Sequence, residues 1–336
     1  MPKLADKTVR VGNLVAEPSQ IRFGGITCAY LPDGAPVVLP LIVVNGAMDG
    51  PVLMLSGAMH GLELIGTEVI RQVTREVVKP ADLRGAIIAA PVLNPFAFHA
   101  RSMTTPQDQL NINYVFPGGP DQSLSRRLAD LILKELISRA DYELDLHSNM
   151  TPSIPFTILH YAADEAVGAE SRRMAEAVGF TLVDETEKLP GQNPSWMMDW
   201  ILAAGKPALV VELIDSRRIN PVAARAGVRA VLNVMKLLGL LEGKIEPQVE
   251  LPVLNGLCSR TEVTATRGGL VHLRKEAGDP VAKGEVLAML YDAYGDLAEE
   301  VRSPVDGFVL AYPLRETQAA GTGTDVVFLV YPRDSR

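Results

Sequence analysis

Between residues 52 and 238 the sequence repeatedly switches period, from short apolar runs to helical spacing and back. No other feature constrains the fold as much. Strand-like runs at 52–55, 86–90, 142–146, 155–159 and 208–213 alternate with helical patterns at 66–78, 123–138, 166–178, 195–204 and 222–238. Alternation of this kind predicts an α/β fold with a mixed, largely parallel sheet flanked by helices on both faces. Before it, residues 8–50 alternate apolar and polar positions and are broken by turns, which predicts a few antiparallel strands. After Gly243 the helical spacing stops. Residues 250–336 are short strand patterns punctuated by Gly and Pro, as expected of a small C-terminal all-β unit. The expected organisation is therefore 1–247, including an N-terminal β segment over 1–50, followed by a β domain of barrel-sandwich type over 248–336. A length of 336 residues suits two cores better than one.

In doubly covered sheets the ligand site lies beyond the carboxyl ends of the strands. His60 and Glu63 follow the strand-like run 51–56, three positions apart at the mouth of a helix, so they point the same way. His147 stands at the end of a second strand pattern, in Leu144-Asp-Leu-His147. Two neutral imidazoles and one carboxylate leave a bound dication with surplus positive charge and an open position for water. That is the ligand set of a hydrolytic zinc, one ion per chain. A lone histidine at a strand end is more often structural. Two histidines and a glutamate behind separate strands are harder to dismiss.

A hydrolytic site of this kind also needs a proton acceptor. Glu212 closes the apolar run Ala208-Leu-Val-Val-Glu212, where a charge is costly unless it serves a cleft or a salt bridge with Arg217 or Arg218. Arg101 follows the run 86–90 and reads either as a donor to a tetrahedral oxyanion or as a surface arginine. Asn113 reads as a substrate hydrogen-bonding group or as a turn former before Pro117-Gly118. Asp145 lies two residues before His147 on the same strand face, placed either to orient a ligand or to buttress Arg101. His99, His160 and His272 have no comparable setting and read as non-catalytic.

Composition narrows the partners. Apolar residues make up 47% and charged residues 21%, with a net charge of −8 and no basic run, which argues against a nucleic-acid surface. No apolar stretch is long enough for a bilayer, and the N-terminus lacks a signal-peptide pattern, so no membrane partner and a cytoplasmic location are expected. Cys28 and Cys258 lie far apart and read as buried thiols.

Taken together, Gly57-Ala-Met-His-Gly-Leu-Glu63, Asn94-Pro-Phe-Ala97 with Arg101, Asn111-Ile-Asn-Tyr-Val-Phe-Pro-Gly118, Asp145-Leu-His147 and Val211-Glu212 resemble the succinylglutamate desuccinylase/aspartoacylase family, relatives of the zinc carboxypeptidases. The similarity covers roughly residues 40 to 245 in the family's motif order. It implies zinc ligands at His60, Glu63 and His147, a general base at Glu212, carbonyl polarisation by Arg101 and substrate contact at Asn113. It further implies a deacylase that cleaves an N-acyl group from a small amino acid or amine, in a subgroup resembling N-acetyl-diaminobutyrate deacetylase. A carboxypeptidase-like peptidase and a non-catalytic zinc-fold binding protein are the alternatives. One departure stands out: Tyr114 occupies the position where the family usually has an arginine that grips a substrate carboxylate. The β domain resembles biotinyl/lipoyl modules, but residues 291–298 contain no carrier lysine, so a lid or an oligomer contact (and hence a homo-oligomer) is the expectation.

Overall fold

The computed structural model describes residues 7–150, 152–187, 196–314 and 317–333. The chain enters through two antiparallel pairs, β1 (Val9–Val11) with β2 (Leu14–Ala16) and β3 (Gln20–Tyr30) with β4 (Pro36–Asn45). In β4 the period-2 pattern buries Val37, Leu39, Leu41 and Val43 on one face. Strands and helices then alternate: β5 (Met48–Gly57), α1 (Leu64–Gln72), β6 (Arg84–Ala90), α2 (Pro95–Ala100), α3 (Leu124–Glu135) and β7 (Tyr142–Asn149). Next come β8 (Phe156–His160), α4 (Glu165–Val178), β9 (Thr181–Glu185), α5 (Met197–Ala203), β10 (Ala208–Ile214) and α6 (Pro221–Leu237).

Beyond α6 the described residues form strands only. They are β11 (Leu257–Thr264), β12 (Gly269–Leu273), β13 (Pro280–Val281), β14 (Val286–Tyr291), β15 (Leu297–Arg302), β16 (Gly307–Ala311), β17 (Ala319–Ala320) and β18 (Asp325–Pro332).

Twelve of these strands form one mixed sheet in the order β13-β16-β18-β11-β9-β8-β10-β7-β5-β6-β4-β3. Its centre, β6-β5-β7-β10, is parallel, and the outer pairs on either side are mostly antiparallel. Both faces are covered. Leu53, Leu55, Leu144, Leu146, Leu209 and Val211 pack under α1, α4 and α6, whereas Met54, Ile88, Phe156, Ile158 and Val210 face α3 and α5. Burial on both sides explains why the central strands read as unbroken apolar runs.

The C-terminal strands are joined to the main sheet by hydrogen bonds. β11 pairs in parallel with β9 at Leu257↔Leu182 and Cys258↔Val183, so β11, β18, β16 and β13 prolong the main sheet. A second sheet, β15-β14-β12-β17, belongs to the same unit, whose core includes Val271, Leu287, Leu290, Val327 and Leu329. This unit supplies side chains to the cavity described below.

Two elements escaped the sequence reading. β9 is a five-residue run after the left-handed C-cap Gly179, too short to stand out. The one-and-a-half-turn α2 carries a legible start signal, because Asn94 caps it by accepting a hydrogen bond from the Ala97 N–H at 3.1 Å, with Pro95 at its first position. The start of the helix expected over 195–204 lies outside the described residues.

The position of α1 depends on a close approach. A Cβ on Gly66 would meet the Leu146 carbonyl oxygen of β7 and lie 2.9 Å from the Leu146 Cβ. Gly66→Ala therefore forces α1 away from β7 and, with it, Glu63 away from His147. The expected cost is about 1–3 kcal/mol of overpacking, seen as a lower Tm by calorimetry. A wild-type Tm would mean that α1 moves freely and that the approach is incidental.

Candidate active site

The residues after β5 turn sharply. Ala58 has φ of 46°, and the Gly61 N–H donates to the Ser102 carbonyl at 2.8 Å. That turn delivers His60 into the cleft, and Glu63 takes the cap position of α1. On the neighbouring strand, β7 projects Glu143, Asp145, His147 and Asn149 toward the same side of the sheet, since alternate residues share a face. The parallel register of β7 and β10 sets Glu212 directly beside His147.

His60, Glu63 and His147 are buried, and their ligand atoms lie within 4.8 Å of one another. One Glu63 oxygen is 2.7 Å from His60 Nδ1, and the other is 3.0 Å from His147 Nδ1. Each imidazole is anchored at its far nitrogen. His60 Nε2 donates to Asn111 Oδ1 at 3.1 Å, an oxygen identified by the Asn113 N–H that it also accepts at 3.0 Å. His147 Nε2 donates to Asp145 Oδ2 at 2.8 Å. With both Nε2 atoms held as donors, both Nδ1 atoms face the carboxylate, and once deprotonated they complete with it the donor set that a divalent cation takes. The residues thus fit a metal.

Electrostatics agree. Burial alone would raise Glu63, but the neighbouring His60 and His147 outweigh it and hold the carboxyl well below the usual range. Burial also opposes charge on His147, yet Asp145 and Glu63 overcome it and raise the imidazole well above its ordinary value. Without a cation the cluster holds its charge as a proton, and a metal ion would displace that proton. Glu212 has no such pairing. Burial pushes it up to about 7, and its Oε2 accepts a hydrogen bond from Asn149 Nδ2 at 2.9 Å.

These groups line a cavity of about 270 Å³. Asn113 and Tyr114 are in its wall. Asn113 Oδ1 accepts from the Met197 N–H at 3.4 Å, and Tyr114 meets Trp196 edge-on with ring centroids 5.3 Å apart. Arg101 is not brought there. It is the left-handed C-cap of α2, its side chain is exposed, and it does not line the cavity. Arg217, Arg218 and Arg225 are also outside the wall, and Arg225 is tied to Glu250 at 2.8 Å. His160 is buried against Trp196.

The sequence reading missed several members. Asn149 follows His147 by two positions, so strand alternation could have found it. Arg260, Glu262, Asp325 and Phe328 enter from β11 and β18, where nothing local marks them.

With this geometry in view, comparison with known proteins is decisive. Residues 49–238 match the succinylglutamate desuccinylase/aspartoacylase catalytic domain. The chain belongs to that family. It is 30% identical over 284 residues to N-alpha-acetyl-L-2,4-diaminobutyric acid deacetylase of Halomonas elongata, covering 82% of this chain and 81% of that one. In fold it is similar to a crystal structure of a succinylglutamate desuccinylase/aspartoacylase from Rhodobacter sphaeroides, with a TM-score of 0.83 and 25% identity over 97% of this chain and 100% of that one. The product-bound ectoine utilization protein EutE (DoeB) from Ruegeria pomeroyi superposes with a TM-score of 0.84 at 24% identity, over 95% and 97% of the two chains. Family membership makes the protein a hydrolase of carbon–nitrogen amide bonds.

Behind His147 a hydrogen-bond chain runs deeper. Ser56 Oγ is 2.8 Å from Asp145 Oδ1 and 2.9 Å from Glu143 Oε1. One hydroxyl has one proton, so it donates to a single carboxylate, and the other carboxyl must supply its own hydrogen. Burial, and then the charge of Asp145, raise Glu143 to about 8, so Glu143 is the protonated partner. Its folded pKa exceeds the unfolded value of about 4.3, so the folded state binds the extra proton and stability falls as pH rises from about 4.5 to 8. Glu143→Gln, neutral throughout, removes that loss. Its Tm advantage over wild type should grow from pH 5 to pH 8 and then level. A Tm difference independent of pH would show that Glu143 is ionised in the fold.

Proposed function

We propose that the protein is a zinc-dependent deacylase that removes an N-acyl group from a small amino acid or amine. The observation that carries this reading is the register of β7 and β10, which sets a half-buried, raised carboxylate beside a member of the His60–Glu63–His147 cluster. A cavity of about 270 Å³, partly walled by the β domain, suits a small metabolite better than a peptide. The thiols Cys28 and Cys258 are unpaired, in keeping with a cytoplasmic setting.

A divalent ion held by His60, Glu63 and His147 supplies acidified water and a Lewis acid for the acyl oxygen when bound. The chain's own groups do the rest. Glu212 takes a proton from the attacking water and returns it to the departing amine, two tasks matched by a carboxyl poised near neutrality. Asn149 keeps the Glu212 carboxylate turned into the cavity. Asn111 and Asp145 hold the two imidazoles in the tautomer that presents Nδ1. Asn113 and Tyr114, in the wall, contact the substrate. Arg101 receives no step, because its exposed side chain stands outside that wall.

The test is hydrolysis by protein reconstituted with zinc, offered Nα-acetyl-L-2,4-diaminobutyric acid alongside other acetyl, succinyl and formyl amino acids. Wild type should release the acyl group, and kcat/KM should rise with pH through about 7 as Glu212 loses its proton. Glu212→Gln should lower kcat by roughly 10²–10⁴-fold while retaining the metal. Glu63→Ala and His147→Ala should lose the metal itself, read by elemental analysis. Protein that holds about one equivalent of zinc, as a three-ligand site predicts, yet turns over no acyl substrate would end this reading.

A further inference from the structure

Within the cavity wall the charges are unevenly distributed. Glu63, Glu212, Glu262 and Asp325 contribute carboxylates, whereas Arg260 is the one guanidinium or ammonium group among the described lining residues. Arg260 comes from β11 of the β domain. Its side chain is 16% exposed and its guanidinium lies over the Phe328 ring, 5.0 Å from the centroid. Glu262, on the same face of β11, approaches Arg260 Nη2 at 3.3 Å, and Glu185 at the end of β9 pairs with the same nitrogen. Both carboxylates thus come nearest at one corner of a group that carries five N–H donors. Glu262 is half exposed and its contact is long, so it is the replaceable partner. Arg260 lines the same cavity as Glu212, and its charge works to lower that carboxyl.

We propose that Arg260 is the anchor for the substrate's carboxylate, so that the β domain selects acyl amino acids over acyl amines. This rests on the deacylase reading for the identity of the ligand. A planar guanidinium fixed by stacking presents two parallel N–H groups, the geometry that a carboxylate accepts as a fork. The sheet pairing of β9 with β11 holds that fork rigidly to the catalytic strands, so the distance from anchor to metal cluster selects substrate length. Glu262 is paired with the anchor, and the arriving carboxylate displaces it.

Binding measured by calorimetry on zinc-loaded Glu212→Gln protein separates this proposal from the deacylase reading. The ligands are the acetylated diamino acid named above and its C-terminal carboxamide. The acid should bind on the order of 10-fold more tightly than the amide, or better. Arg260→Met, which keeps the stacking length but not the charge, should erase that preference, and Arg260→Lys should restore only part of it. In kinetic assays of the otherwise wild-type enzyme, Arg260→Met should raise KM for the acid far more than it changes kcat. Equal losses for acid and amide would reduce Arg260 to a structural ion pair and overturn the proposal, as would an acid preference that survives Arg260→Met. If Arg260→Met does not fold, Glu262→Gln carries the test: it should tighten the acid and leave the amide as it was, and an identical change in both overturns the idea. An Arg260-dependent preference in a protein that hydrolyses neither ligand would instead sink the deacylase reading while leaving the anchor standing. Failure of both ligands to bind overturns both.

Discussion

Glu63 touches both imidazoles of the cluster, one through each carboxylate oxygen. A buried carboxylate costs several kcal/mol unless its charge is met in place. The surrounding structure is arranged to meet it. The Ser148 N–H lies 3.3 Å from one of its oxygens, α1 starts at it, and His147 is raised well above its ordinary pKa partly by it. The same carboxylate that organises the cluster would complete the ligand set for a cation. Cluster stability and metal binding are therefore two uses of one charge balance, exchanging protons for an ion.

The supports extend outward in order. Asn111 and Asp145 fix the tautomers; Ser56 and a protonated Glu143 satisfy Asp145; Asn149 orients Glu212. Each of these groups is buried or partly buried and lies on β5, on β7 or in the turn before α3. Rigid strands with both faces packed are what allow such a chain to hold its distances. The cavity groups Arg260, Glu262, Asp325 and Phe328 are placed differently, by the pairing of the C-terminal strands with the main sheet.

Much of the site could be read from the chain because its chemistry is local. His60 and Glu63 are three residues apart, and Asp145, His147 and Asn149 follow strand alternation, so spacing alone puts them on common faces. Glu212 was marked by its cost, a charge at the end of an apolar strand. For Arg101, a position after a strand invited a role, and the fold places it as the left-handed C-cap of α2, exposed and outside the cavity wall. The sheet was anticipated as largely parallel, which describes its centre. Its edges are antiparallel, because the hairpin of β3 and β4 and the strands of the β domain add to the same ladder.

By itself, the sequence determined the fold class and marked His60, Glu63, His147 and Glu212 at strand ends, since these signals depend on periodicity and on residue type within a few positions. Only the tertiary structure decided which distant groups share the cavity. Glu212 stands beside His147 through strand register, and Arg260 joins the same cavity wall through the β9–β11 pairing. Such pairings are set by long-range hydrogen-bond ladders and by packing on two faces, and neither leaves a mark in any short window of residues.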